Sequence, residues 1–170
     1  MLAILLSLIF PIILVLAMLS DLRRFVIPNS LSIVLAGSYP AIAWLAGLPV
    51  QGILWHLGLG LALLTVGIVL FILRVFGGGD AKLIAAVGIW TGIDVLLPFL
   101  AYMAVIGGAL ALALLLFRRF RLAEALSGWT WLRELHRRKH EVPYAVAIGS
   151  AGLLIYANLP LVVAAAGQHN

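Results

Sequence analysis

The chain has no cysteine among its 170 residues, which removes disulfides, thiolate chemistry and cysteine-ligated zinc from the functions open to it. Charge is scarce as well, at 10% of residues, whereas hydrophobic residues make up 65%. That much apolar surface exceeds what one soluble core of this length could hide, so the composition reads as an integral membrane protein. No long polar or Pro/Gly/Ser-rich linker and no low-complexity segment interrupts it, and residues 1–170 are expected to form a single membrane-embedded domain. The N-terminus lacks the basic region of a secretory signal. Its apolar run reaches Leu19, longer than a usual signal core, and is expected to persist as a first span. The four histidines have no metal-ligand spacing, so neither a metal nor a cofactor is expected.

What is present is a series of apolar runs. A span needs about 20 apolar residues to cross a hydrocarbon core of about 30 Å. The candidates are 2–19, 30–47, 53–73, 81–93, 95–117 and 142–166, an all-α bundle of six transmembrane helices in which the fourth is short. The basic residues decide its orientation. Arg23 and Arg24 follow the first span, Arg74 and Lys82 flank the connection after the third, and Arg118, Arg119, Arg121, Arg133, Arg137, Arg138 and Lys139 lie in the connection after the fifth. All of them fall on one side of a six-span layout, which the positive-inside rule makes cytoplasmic, leaving both termini outside. A net charge of +5 is thereby explained by topology, and no nucleic-acid partner is expected. Trp44, Trp55 and Trp90 fall near predicted outer ends, where an aromatic belt belongs.

Two acidic residues stand out in this layout. Asp21 ends the first span and Asp80 opens the fourth, after Gly77, Gly78 and Gly79; the intervening hairpin crosses twice, so both carboxylates are expected at the cytoplasmic boundary. Consecutive glycines permit unusual backbone angles and close approach of another chain. Asp80 could simply cap a helix. Asp21 sits where its charge opposes the helix dipole, a position not chosen for stability. Pro28 favours an extended Ile27, and Asn29 or Ser30 can cap the second span.

The rest of the chain reads more plainly. From Arg118 to Glu141, basic residues alternate with Leu122, Leu126, Trp129, Trp131, Leu132 and Leu135, like an interfacial segment attracted to anionic lipid. Gly107-Gly108 and Gly149-x-x-Gly152 read as close helix packing. His56 follows Trp55 near the outer interface and reads as a neutral, partly hydrated side chain.

Taken together, the residues resemble the type IV prepilin peptidases, membrane-embedded aspartic proteases, in particular the short form that serves tight-adherence (Flp-type) pili. The likeness spans essentially the whole chain. It rests on Asp21 with Arg23-Arg24-Phe25-Val26-Ile27-Pro28-Asn29, on Gly77-Gly78-Gly79-Asp80-Ala81-Lys82-Leu83 as a G-x-G-D-x-K-L block, and on Val142-Pro143-Tyr144-Ala145-Val146-Ala147-Ile148 opening the last span. The resemblance implies that Asp21 and Asp80 are the catalytic pair, with Gly77, Gly78, Gly79, Lys82, Pro28 and Asn29 as motif support. It also implies a bacterial inner-membrane enzyme that cuts after a glycine at the cytoplasmic boundary of a prepilin. Longer members carry a cytoplasmic insertion with paired cysteines in the first connection, which this chain lacks. Some of them also methylate the new N-terminus with S-adenosylmethionine, and that second activity is not carried over.

The chemistry follows from the residues. Two neighbouring carboxylates hold one proton between them, so the charged member can take a proton from the attacking water while the protonated one polarises the scissile carbonyl. Lys82 could favour an ionised Asp80, or only mark the cytoplasmic side. The glycines would leave room for an extended substrate strand. A different class of reading is a small transporter using Asp21 and Asp80 as proton- or cation-coupling sites beside a broken helix, although both acids lie at one face rather than the midplane. A purely structural subunit would leave the two acids without a role.

Overall fold

The computed structural model describes residues 2–119, of which 118 and 119 by backbone alone, and 142–167. Among them the regular structure is entirely helical. α1 (Leu2–Ser7) leads into α2 (Ile9–Arg24), followed by α3 (Asn29–Leu45), α4 (Val50–Ile72), α5 (Gly78–Arg119) and α6 (Ala145–Ile155); a 3-10 turn at Tyr156–Asn158 then leads into α7 (Pro160–Gly167). Prolines account for two of the breaks. Pro11 cannot donate to Ser7 and its ring crowds that carbonyl, so α1 and α2 part at Leu8, while Pro160 holds Leu159 extended between the 3-10 turn and α7.

The bundle is built around the first part of α5. A straight helix of 42 residues would run about 63 Å, twice the depth of a bilayer core. It is not straight. Gly92 has φ 60° and ψ −173°, a conformation essentially closed to other residues, and it divides α5 into rods of residues 78–91 and 93–119. The second rod folds back. The Tyr144 ring meets Phe76 edge-on at 5.8 Å, and its hydroxyl lies 2.8 Å from where a Cβ on Gly107 would stand. On one straight axis Gly78 and Gly107 would be more than about 40 Å apart. At the break, His56 Nδ1 donates to the carbonyl of Ile89 at 2.7 Å, taking up an acceptor at the end of the first rod.

Beyond Lys82 the first rod is apolar all round and is buried accordingly, from Leu83 through Gly92. α3 runs parallel to it, joined by Trp90 Nε1 donating to the Leu35 carbonyl at 2.8 Å. α4 runs antiparallel, with Gly67 against Ala81 and Gly60 against Ile89 and Ala85, leaving no space for a side chain at either glycine. On another side α2 and α6 pair antiparallel through Gly149 against Met18 and Gly152 against Leu14 and Phe10. Lipid is as apolar as leucine, so association here depends on close packing, which these small residues permit. The expectation for Gly149 and Gly152 holds, as it does for Gly107; Gly108 has open space around it.

The outer surface is apolar: Leu97, Ile93, Val105 and Ile72 are each more than two-thirds exposed. Four stretches, Leu2–Arg24, Val50–Ile72, Gly78–Phe117 and Ala145–Gly167, are long and apolar enough to cross a membrane. Trp44 and Trp55 are exposed as expected of a belt, but Trp90 is fully buried, because its indole N–H is spent on Leu35 and its ring packs on Phe10 and Tyr39. The expected interfacial connection lies, from residue 120 to 141, outside the described residues.

Candidate active site

Asp21 and Asp80 arrive at the same end of the bundle, where α2 and α4 finish and α3, α5 and α6 begin. α2 stops one turn beyond Asp21, at Phe25, whose left-handed backbone (φ 54°, ψ 35°) lets its N–H close on the Asp21 carbonyl at 2.8 Å. The chain then crosses to α3 through four residues, held by Ser20 Oγ donating to the Val26 carbonyl at 2.8 Å. Asp21 is 6% exposed, and its Oδ2 accepts the N–H of Ala145 at 2.9 Å. Ala145 is the first residue of α6, so this carboxylate occupies the N-terminus of a neighbouring helix, where unpaired N–H groups and the dipole favour negative charge. Contrary to the expectation from its place in the sequence, Asp21 is therefore also placed for stability. It opposes the dipole of its own helix and caps another.

Asp80 is not the N-cap of α5 but the third residue of its first turn. Its carboxylate accepts the N–H of Gly77, the reach-back half of a capping box, while the Gly77 carbonyl takes the N–H of Ala81 at 3.1 Å. The glycines are required for space rather than for unusual angles, since none of Gly77, Gly78 and Gly79 has positive φ. A Cβ on Gly77 would stand 2.7 Å from Asp80 Oδ2, and one on Gly79 would stand 3.1 Å from Ile27 Cβ. A Cβ on Gly78 would meet only the Phe71 ring, at 3.4 Å. The close approach they permit is therefore made inside the chain, by the Asp80 carboxylate and by the strand from α2 to α3.

The supporting residues fall into two groups. Pro28, rather than Asn29 or Ser30, is the N-cap of α3, and Ile27 before it is buried. Asn29 does not cap: its side chain Oδ1 instead accepts Lys82 Nζ at 3.0 Å, tying α3 to α5. Lys82 lines a groove between α3 and α4 and not the cavity that holds the aspartates. Its suggested service to Asp80 has no contact behind it.

Asp21 and Asp80 line one open cavity of about 320 Å³ together with Asn29, Gly77, Gly78 and Gly79, and Asp80 feels the charge of Asp21. Phe25, Val26, Ile27 and Val142 complete its lining. Two carboxylates lining one open cavity, one anchored on a helix N-terminus and one on a capping turn, are the groups needed to activate a water and protonate a leaving group. Among the described residues no cluster of histidine, aspartate and glutamate could hold a metal. Sequence reasoning missed the N–H of Ala145 and the packing of Tyr144 on Phe76; the Val142-Pro143-Tyr144 string marked the place without giving the contact.

A family model of the type IV leader peptidases matches residues 8–112, which include both aspartates and all three glycines. No curated protein and no solved structure matches the chain. The match covers well over half of the sequence, and the chain belongs to the type IV leader peptidase family, a family of proteases.

Proposed function

We propose that the protein is an aspartic endopeptidase that removes the cytoplasmic leader of Flp-type prepilins at the membrane boundary, with Asp21 and Asp80 as the catalytic pair. The observation that carries this reading is the convergence of the two carboxylates, 59 positions apart in the sequence, on one open cavity. One carboxylate, ionised, takes the proton of a water as it attacks the scissile carbonyl. The other, protonated, donates to the carbonyl oxygen and the departing amine receives a proton. Because the titration belongs to the pair, neither residue is assigned the starting charge.

The membrane layout in this reading has six spans, with both ends of the chain outside and the cavity at the cytoplasmic face of a bacterial inner membrane. The fold-back at Gly92 supports it, because α5 then supplies two crossings rather than one. So does the charge distribution, since Arg23, Arg24, Arg74 and Lys82 all lie at the end that holds the aspartates. Anionic lipid at that face would meet these residues. The transporter reading finds no support in the family, and it would place coupling sites at the midplane rather than beside four basic residues. Coexpression with a Flp-type prepilin tests the proposal. Wild type is expected to shorten the prepilin, whereas Asp21→Asn and Asp80→Asn, inserted at normal levels, leave it full length. Shortening by both variants would refute it.

A further inference from the structure

We propose that the groove between α3 and α4, floored by the first rod of α5, is the subsite that holds the apolar helix of the substrate while its leader lies in the aspartate cavity. The inference rests on the protease reading above. α3 and α4 are consecutive helices joined by a short turn, yet they meet little; each lies against the first rod instead, leaving a cavity of about 780 Å³ between them. Asn29 and Gly78 line both this groove and the aspartate cavity, so the two spaces adjoin.

The lining fits a peptide of one particular chemistry. Polar groups, those of Asn29, Ser32 and Lys82, are confined to the end that adjoins the aspartates, and beyond them the walls are aliphatic, with Leu57, Leu61 and Leu64 on α4. The floor is made of small residues at helical spacing, Gly78, Ala81, Ala85 and Ala86, of which Ala81 and Ala85 also meet α4 at Gly67 and Gly60, so no bulky side chain stands up from it. From Gly78 to Ile89 it extends about 16 Å, the rise of roughly eleven helical residues. Ser32 favours a peptide over a lipid chain. It is 6% exposed, and its Oγ has no hydrogen-bond partner, a state that is costly for a buried hydroxyl. An acyl chain offers it nothing. A peptide passing from extended leader to apolar helix has free main-chain groups at that level.

The absence of cysteine makes the test direct. Single cysteines are placed in the groove at Ala36 and Leu61 and, as controls, on the outer face of α4 at Val66 and Val69, each combined with Asp80→Asn to keep the substrate uncut. A Flp-type prepilin carries one cysteine moved stepwise along its apolar segment. Disulfides are expected from Ala36 and Leu61, recurring every three to four substrate positions, and not from Val66 or Val69. As a second measurement, Ala36→Trp, which fills the groove, is expected to raise KM for the prepilin about tenfold or more, and Val66→Trp to leave it unchanged. Cross-links on the outer face, or none in the groove together with a normal KM for Ala36→Trp, would overturn the subsite and assign the groove to lipid or to a second copy. Wild-type cleavage that depends on Asp21 and Asp80 without groove cross-links removes only this inference. Failure of wild type to cut the prepilin removes the protease reading and the subsite with it.

Discussion

Asp21 and Asp80 are held by different means, and single substitutions separate their structural from their chemical duties. At Asp21 an amide still accepts the Ala145 N–H, whereas alanine leaves that buried donor unpaired. Asp21→Asn is therefore expected to unfold in detergent near the wild-type temperature, and Asp21→Ala to lose about 1 kcal/mol, the usual worth of a helix cap. Equal stability of wild type, Asn and Ala variants would mean that the cap contributes nothing. The glycines separate in the same way. Gly77→Ala pushes against the Asp80 carboxylate and Gly79→Ala against Ile27, while Gly78→Ala meets only a ring at ordinary contact distance. Cleavage assays should find the first two impaired and Gly78→Ala close to wild type. The G-x-G-D spacing was legible in the sequence, but the reason for it was not, because Ile27 lies 52 positions from Gly79 and no local pattern announces that contact.

At the scale of elements, the short rod 78–91 and its end at Gly92 set the architecture. The sequence indicated an abbreviated fourth span near residue 93, since the apolar run there is too brief for a full crossing, but it gave no cause for the stop. The cause lies partly in another helix. His56 on α4 fills the space that a side chain at position 92 would need and takes up the Ile89 carbonyl. Gly92→Ala should therefore be destabilised by about 1–3 kcal/mol in reversible unfolding, from the forbidden backbone angle alone. An unchanged midpoint would show that the break is not strained. Trp90 illustrates the opposite failure: tryptophan near a span end reads as a belt residue, and only its bond to Leu35 reveals a core one.

For the whole molecule, composition and hydropathy carried most of the information. A chain with so little charge and so much exposed aliphatic surface has no stable home in water. What composition could not supply was which helices touch, because lipid-facing and protein-facing leucines are chemically alike. The six-span topology makes its own prediction. Cysteines introduced in the 73–77 connection should react with membrane-impermeant reagents only from the cytoplasmic side, and cysteines in the 46–49 connection only from outside. Labelling of both from one side would contradict it. The central claim is that the two carboxylates act as one unit, and single-turnover cleavage of prepilin by Asp21→Asn, Asp80→Asn and the double variant tests it most directly. Each single change is predicted to slow the chemical step about 10²–10⁴-fold or more, and the double variant to be no slower than the worse single one. Losses that multiply in the double variant, or a wild-type rate in either single one, would contradict the account.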